Sequence, residues 1–252
     1  MHYSRSYFNL LLLVSSLSLF WSCSTKKDET TPSTTDDLSV YQKIYGASSV
    51  TVEGDFVVIK TTGLPDHKSP YYQGTQWSTQ YEAYNGTNTS FAQNPNKIAS
   101  FSYTFKIPKN PKAATTNQAT SLGAIGVSLN GVPFYNQYAG PNNQALTSEI
   151  NSFDQYNGHP QQQGAYHYHF EPLSITSAKG KEALIGFLLD GFPVYGPREN
   201  GALVQESSLD AFHGHIHATA EYPNGIYHYH MTSTSPYLNG NGYYGTPGTV
   251  TQ

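Results

Sequence analysis

The tetrapeptide Tyr-His-Tyr-His occurs twice in the chain, at residues 166–169 and 227–230. On a β-strand, successive side chains point to opposite faces, so both histidines of a copy lie on one face and both tyrosines on the other. The two imidazoles then start from Cα atoms about 6.5–7 Å apart, which allows both to reach one ion. The alternation therefore predicts two strands, each with a tyrosine face that packs and a histidine face that projects into a site.

The tetrapeptides belong to a longer internal repeat. The segment AIGVSLNGVPFYNQ at 124–137 matches LIGFLLDGFPVYGP at 184–197, and 153–169 matches 209–230. Each copy begins with two apolar runs around Asn-Gly or Asp-Gly, which predicts a hairpin because this dipeptide tolerates the positive φ angles of a type I′ turn. Two copies are too few for a solenoid, so we expect two β units that share one core about a pseudo-twofold axis. These repeat units are predicted to span about 121–172 and 181–232.

The composition favours a mainly β fold. Only 12% of the residues are charged, while Gly, Pro, Asn, Ser, Thr and Tyr are plentiful, and this balance is typical of a turn-rich β protein. From about residue 38, short apolar runs alternate with turn residues, and we find no convincing amphipathic helix. We therefore predict one sandwich-like β domain over 39–252. The net charge of -4 gives no reason to expect a nucleic-acid partner.

The repeat supplies enough histidines for a metal site. A metal usually needs more than two ligands, and each copy carries a Gly-His ahead of its tetrapeptide. Each unit could build its own three-histidine site, or the pseudo-twofold axis could bring both pairs into one. The candidate ligands are His167, His169, His228 and His230, assisted by His159 and His215. Asp154 and Asp210 are candidates to orient imidazoles by accepting their second N–H, as metal-bound histidines usually require.

All-imidazole sites suit several transition metals, and copper or zinc is preferred here for an exported protein. The folded part has no cysteine, which excludes thiolate sites and disulfides. Met231 follows the second tetrapeptide and should point to the opposite face, so we do not expect it to be a ligand. Stacked Tyr/His pairs that only stabilise a sheet are the structural alternative. Asp190 is explained by its hairpin turn, and Arg198 and Glu199 are interpreted as a solvated loop.

The N-terminus predicts export and membrane attachment. Residues 1–22 combine Arg5 with the apolar run FNLLLLVSSLSLFW, as in a signal peptide. Cys23 lies where this segment should end, which resembles the lipobox of bacterial lipoproteins; cleavage by ordinary signal peptidase is the alternative. Residues 23–38 are then a lipidated, flexible tether. We expect a cell-envelope protein on the outer membrane or the cell surface, held by its lipid anchor.

These motifs together resemble the YHYH protein family, which is named for the tetrapeptide. The resemblance covers roughly residues 50–244 and includes the hairpin motif at 186–196, the Asp and Gly-His elements, and both tetrapeptides. Many members of that family have a cysteine two residues after the Asp, where this chain has Tyr156 and Phe212. The resemblance implies the domain but supplies no reaction.

Three functions are consistent with the sequence. The first is a membrane-anchored copper or zinc protein that captures or delivers metal. The second is a metal-dependent hydrolase or oxidase, which would need an open coordination position. The third is a surface module that binds glycan or protein without catalysis. Residue spacing alone does not separate the first two, because it determines neither coordination number nor pocket shape.

Overall fold

The structure is a computed structural model that describes residues 1–2, 38–240 and 242–252. The predicted signal peptide, the lipidation residue Cys23 and nearly all of the tether lie outside the described residues. Asp36–Gln252 forms one compact unit, and all helices and strands given below belong to it. None of the described helices has the length and apolar character needed to cross a membrane.

The described chain is mainly β, as predicted, with one short α-helix and five 3-10 helices. The strands are β1 (Ala47–Glu53), β2 (Phe56–Thr61), β3 (Tyr103–Pro108), β4 (Gly126–Ser128), β5 (Pro133–Phe134), β6 (Tyr138–Ala139), β7 (Gln144–Ala145), β8 (Gly158–Pro160), β9 (Tyr166–Tyr168), β10 (Leu184–Leu188), β11 (Pro193–Tyr195), β12 (Arg198–Glu199), β13 (Ala202–Leu203), β14 (Gly214–His217), β15 (Ile226–His230) and β16 (Thr249–Thr251). The helix α1 is Leu173–Lys179, and the 3-10 helices are Tyr41–Lys43, Pro70–Tyr72, Ser78–Gln80, Glu149–Ser152 and Glu206–Ser208.

Two larger sheets organise the fold. A four-stranded antiparallel sheet has the order β1-β2-β3-β16, and an eight-stranded mixed sheet has the order β14-β15-β11-β10-β4-β5-β9-β8. Strands β6 with β7 and β12 with β13 form two small ribbons. The eight-stranded sheet carries both tetrapeptides, β9 in one half and β15 in the other, so the sheet order separates them.

The two predicted hairpins form, but not with type I′ turns. In both, the glycine after the Asn or Asp has positive φ, 82° at Gly131 and 84° at Gly191, whereas Asn130 and Asp190 are not among the residues with positive φ. Gly131 N–H donates to Ser128 O and Gly191 N–H donates to Leu188 O. This is a turn followed by a glycine bulge, in which one positive φ is enough. The type I′ prediction is therefore wrong, because the loop is longer than two residues.

The strand registers of the two halves correspond pair by pair. In the hairpins, Val127 lies opposite Pro133 just as Phe187 lies opposite Pro193. In the outer pairs, His159 lies opposite His167 just as His215 lies opposite His228. Both tetrapeptide strands run parallel to the second strand of their own hairpin. The same sequence pattern has therefore produced the same pairings twice.

One hydrophobic core contains residues from both larger sheets. Ile59 and Phe105 come from the four-stranded sheet, and Val127, Phe134 and Phe187 come from the eight-stranded sheet. All five side chains are fully buried. The central strands of the larger sheet are buried along their whole length, which fits their near-continuous apolar sequence. This rigid centre holds the tetrapeptide strands in fixed positions toward the edges of the sheet.

Candidate metal centres

The alternation of the tetrapeptides is realised on β9 and β15. The tyrosine hydroxyls all face polar partners inside the protein: Tyr166 donates to Asp154, Tyr227 donates to Asp210, and Tyr229 donates to Asp190. Tyr168 accepts from Asn130 and contacts His67 Nε2 at 2.9 Å. The tyrosines therefore anchor each strand, and the histidines project from its other face.

The histidines gather in two separate groups among the described residues. The first group, called here the first cluster, consists of Glu149, His159, His167 and His169; the second cluster consists of Glu199, His215, His228 and His230. In each cluster, the candidate ligand atoms all lie within 4.8 Å of one another. Each cluster could hold a metal ion. Each unit thus assembles its own group, and no histidine is shared between them.

In the first cluster, three imidazole nitrogens and a carboxylate converge. His167 Nε2 lies 3.1 Å from His159 Nε2 and 3.0 Å from His169 Nε2. Glu149 Oε1 lies 3.0 Å from His159 Nε2 and 4.0 Å from His169 Nε2. The three histidines are only 2–3% exposed. Four donors therefore surround one point from which water is largely excluded.

The other ring nitrogens determine where the protons lie. His167 Nδ1–H donates to Ala165 O at 3.0 Å, and His169 Nδ1–H donates to Asn136 O at 2.5 Å. A carbonyl only accepts, so these Nδ1 atoms carry the protons, and each neutral ring keeps a lone pair on Nε2. Two lone pairs 3.0 Å apart repel each other unless a cation lies between them. If His159 Nε2 carried a proton and donated it to Glu149, the lone pairs of His167 and His169 would still repel each other.

His159 follows the same rule through a serine. The Ser152 hydroxyl donates to Glu149 O at 2.7 Å, which uses its only proton. The contact of 2.7 Å between Ser152 Oγ and His159 Nδ1 is then donated by the imidazole. Asn94 Nδ2 lies further from this nitrogen, at 3.4 Å, and donates to Pro160 O. His159 Nε2 therefore also presents its lone pair to the centre of the cluster.

The second cluster repeats this geometry. His228 Nε2 lies 3.1 Å from His230 Nε2, and His215 Nε2 lies 3.2 Å from both. Glu199 Oε1 lies 3.3 Å from His215 Nε2, 3.6 Å from His228 Nε2 and 3.9 Å from His230 Nε2. His228 Nδ1–H donates to Ile226 O, and His230 Nδ1–H donates to Gly196 O. Their Nε2 lone pairs consequently face each other as in the first cluster.

Burial keeps the four tetrapeptide imidazoles neutral. It lowers the pKa of His169, His228 and His230 to about 4. Burial, followed by the nearby His159 and His169, holds the pKa of His167 well below its ordinary value. A neutral imidazole is the form that binds metal, so at neutral pH no proton has to be displaced from these rings.

The two glutamates come from different points of the repeat. Counting back from Asp154 and Asp210, the position of Glu149 corresponds to Gln205, and the second cluster takes its carboxylate from β12 instead. The interpretation of Glu199 as part of a solvated loop is therefore wrong. Glu149 is not among the residues that the sequence predicts as ligands. Glu206 begins the 3-10 helix before Asp210 just as Glu149 begins the one before Asp154, but Glu206 belongs to neither cluster, so the repeat does not identify the carboxylate of the second cluster.

The predicted role of the aspartates needs correction. The described bonds of Asp154 go to the Ser69 and Tyr166 hydroxyls and to the N–H groups of Tyr156 and Gly158. Asp210 accepts in the same way from the Tyr227 hydroxyl and from the N–H groups of Phe212 and Gly214. Backbone carbonyls orient four of the imidazoles instead. The aspartates hold the turn before each Gly-His and tie it to the tetrapeptide strand.

The surroundings of the two clusters differ. The Tyr135 ring stacks on His167 with centroids 3.8 Å apart, and Phe153 lies parallel to His169 at 5.6 Å. In the second cluster, the position of Phe153 is occupied by Leu209. His228, His230 and Glu199 line a cavity of about 440 Å³, and the His215 side chain is 21% exposed. The first cluster thus has two aromatic rings against its imidazoles, whereas the second has Tyr195, whose ring lies 5.0 Å from that of His228, and faces a cavity.

The other histidines of HGHIH do not join the second cluster. His213 has a positive φ of 74°, which places it outside β14, and its Nε2 lies 3.0 Å from Thr232 Oγ1. His213 therefore does not share a strand face with His215, since the strand begins only at Gly214. His217 is 44% exposed at its side chain, and its Nδ1 lies 3.0 Å from Glu199 Oε1. It lies beside the second cluster and contacts its carboxylate.

Comparison with known proteins gives one match. A family model described as YHYH protein matches residues 104–204 and 198–242, which together make up more than half of the chain and include both clusters. No curated protein and no solved structure matches the chain.

Proposed function

The chain belongs to the YHYH protein family, and on that premise we propose that it is an exported, membrane-anchored protein that binds copper or zinc. Each cluster would hold one ion through three Nε2 atoms and one carboxylate oxygen. The proposal depends on the geometry of the clusters, since family membership by itself implies no reaction.

The observation that carries the proposal is the convergence of imidazole lone pairs. His167 and His169, and likewise His228 and His230, donate through Nδ1 to backbone carbonyls while their Nε2 atoms lie 3.0 and 3.1 Å apart. A purely structural cluster would be expected to pair each nitrogen with a donor or an acceptor. A bound cation turns the mutual repulsion into attraction at all three nitrogens together.

The spacing of the donors fits a first-row transition metal. With metal–nitrogen distances of about 2.0–2.1 Å, the donors of a tetrahedral site lie about 3.3–3.4 Å apart. Five Nε2 pairs in the two clusters are 3.0–3.2 Å apart, and the carboxylate oxygens lie 3.0–4.0 Å from imidazole nitrogens, so small shifts of the side chains complete each site. Imidazole with carboxylate suits zinc and copper(II).

The matching registers support a pseudo-twofold relation between the units. The central pair β4 and β10 places Val127 opposite Phe187, with Gly186 opposite Ser128 and Leu188 opposite Gly126. These pairs exchange equivalent positions of the two copies, as a local twofold axis between the strands requires. We propose that duplication of one unit produced both clusters, packed as a single sandwich-like domain over 39–252.

A lipid on Cys23 is the proposed attachment to the outer membrane or the cell surface. It is supported by the apolar run before this residue and the polar tether after it. Cys23→Ala should move the protein from the membrane fraction to the soluble fraction, and mass spectrometry should find acyl chains only on the unaltered chain. Retention of Cys23→Ala in the membrane fraction would contradict the anchor and leave the metal proposal intact.

A metal-dependent hydrolase or oxidase is the second candidate function. It is favoured by one observation, the cavity of about 440 Å³ lined by His228, His230 and Glu199. A catalyst needs space beside its ion for a substrate, and the second cluster has it. In that case the bound ion would supply Lewis acidity or redox chemistry, while the imidazoles would fix its position in the wall of the cavity.

The test is metal content, measured by elemental analysis on the full chain purified in detergent without an affinity histidine tag. We expect two ions per chain, and one ion in each of His167→Ala/His169→Ala and His228→Ala/His230→Ala. His67→Gln is the matched control, because it removes a histidine of the folded domain outside both clusters and keeps a side chain that can hydrogen-bond, and it should retain both ions. Absence of stoichiometric metal after loading with copper and zinc would contradict the proposal.

A further inference from the structure

The cavity beside the second cluster has a wall whose charges are not explained by metal binding alone. Besides ligands of the cluster, the wall carries two cations, Lys179 and Arg198, and two further acids, Glu182 and Glu221. The cations come from the end of α1 and from β12, so separate parts of the chain place positive charge on one cavity.

The acids of the wall are largely neutralised by other groups. Glu221 forms an ion pair with Lys43 at 2.7 Å and accepts from the Tyr195 hydroxyl at 2.8 Å. Glu199 lies within the cluster, where a divalent ion would outweigh its charge. Glu182 accepts from the backbone N–H of Gly201 and offsets one of the two cations. With an ion bound, the wall as a whole is positively charged.

The cations are fixed near the cavity but keep donors available. Arg198 Nη1 donates to Gly201 O at 2.9 Å, which uses one of the five N–H groups of a guanidinium. Lys179 Nζ lies 5.3 Å from the centroid of the Tyr45 ring, a contact that leaves its N–H donors directed elsewhere. Both side chains are exposed, so they can meet a ligand without a change in the fold.

We propose that this cavity binds a small oxyanion, a carboxylate or a phosphate. One oxygen of the anion would bind the metal of the second cluster, and its remaining charge would face Lys179 and Arg198. The inference depends on the proposed metal function, because the ion supplies part of the positive charge. It also distinguishes the clusters, since the first has the rings of Tyr135 and Phe153 against its imidazoles.

Cobalt(II) provides the readout, because its visible absorption responds to a change of ligand. The full chain, loaded with cobalt(II), would be titrated with acetate, with inorganic phosphate and with acetamide, the neutral analogue of acetate. We expect a saturable spectral change with acetate or phosphate and none with acetamide. The stronger of the two anions identifies the class of ligand. A response to neither, with two cobalt ions bound, overturns the inference.

Variants show which cluster produces the spectral change. It should disappear in His228→Ala/His230→Ala and persist in His167→Ala/His169→Ala. Lys179→Gln/Arg198→Gln should retain both cobalt ions and bind the anion about tenfold more weakly, as expected when charge-assisted contacts are lost. Unchanged anion affinity in that variant, or a response that survives loss of the second cluster, overturns the inference. Failure of the chain to bind cobalt, zinc or copper at all would instead overturn the metal function.

Discussion

The two clusters contain the same donors but differ in access. In the first, three histidines that are 2–3% exposed lie beneath the rings of Tyr135 and Phe153. In the second, the counterpart of Phe153 is Leu209, the His215 side chain is 21% exposed, and a cavity of about 440 Å³ adjoins the histidines. Two copies of one unit thus share a ligand geometry while their surroundings have diverged. We infer that an ion in the first cluster would be shielded from solvent and that an ion in the second would exchange with it.

Acid should release both ions, with the largest effect of any condition. The pKa values of about 4 at His169, His228 and His230 mean that protons compete with metal at these three ligands only well below neutrality. Metal content should therefore be constant from about pH 8 to pH 5 and fall to zero below about pH 4, whereas ordinary histidines would release near their unperturbed pKa of about 6.5. Equilibrium dialysis at each pH measures this. Half-release near neutrality would contradict the burial argument.

Acid should also destabilise the metal-free protein, because burial lowers the pKa values of these histidines. Unfolded histidines take up protons below about pH 6.5, whereas His169, His228 and His230 in the folded protein do so only near pH 4. The free energy of unfolding is thus unaffected by these groups above pH 6.5 and falls as the pH drops from about 6.5 toward 4. Urea titrations across that range should show the loss, and stability that rises on acidification would contradict the sign.

The two clusters should lose their ions to a chelator at different rates. His228→Ala/His230→Ala leaves only the first cluster, and His167→Ala/His169→Ala leaves only the second. A chromogenic chelator should remove the ion of the second cluster at least about tenfold faster, because the first must open locally before it is reached. Equal rates, or the reverse order, would remove the functional distinction between the clusters.

The aspartates should differ in their effect on stability. Asp154 is 2% exposed and accepts from two hydroxyls and two backbone N–H groups, whereas Asp210 is exposed. Asp154→Asn should lower the free energy of unfolding by about 2–3 kcal/mol and Asp210→Asn by about 1 kcal/mol, since water can replace partners only at the exposed site. Urea denaturation of the metal-loaded chains checks this. Equal losses would mean that exposure does not set the difference.

The glutamates should show the smallest difference. Glu149→Gln and Glu199→Gln each keep an oxygen and remove a charge. We expect about a tenfold loss of metal affinity at the altered cluster in each variant, because a charge is removed from carboxylates that are 26% and 24% exposed. Competition titrations of zinc against a chelator would measure both. No loss in either variant would exclude the carboxylates as ligands.

Sequence reasoning identified what depends on periodicity and repetition. The two hairpins and the opposite faces of tyrosine and histidine follow from apolar runs and alternation, and the structure confirms them. His159 and His215, which the Gly-His before each tetrapeptide indicated as candidate ligands, lie opposite His167 and His228 in the sheet. These features are local, or are copied between the units, so one chain is enough to recognise them.

What escaped prediction depends on long-range packing. Glu149 and Glu199 reach equivalent places from non-equivalent positions, so comparison of the two copies hides them. The carbonyls that orient His169 and His230 belong to Asn136 and Gly196, more than thirty residues away in sequence. The access of solvent to each cluster likewise depends on the surrounding loops. Residue spacing therefore could not distinguish a protein that captures or delivers metal from a metal-dependent enzyme.

Crystallographic anomalous scattering at the zinc and copper absorption edges would test the central claim most directly. The full chain would be crystallised after loading with each metal. We predict two anomalous peaks, each bounded by three Nε2 atoms and one glutamate oxygen, at His159, His167, His169 and Glu149 in one and at His215, His228, His230 and Glu199 in the other. Fully loaded crystals with no peak at either cluster, or with peaks only on surface residues, would show that the duplicated histidines are structural.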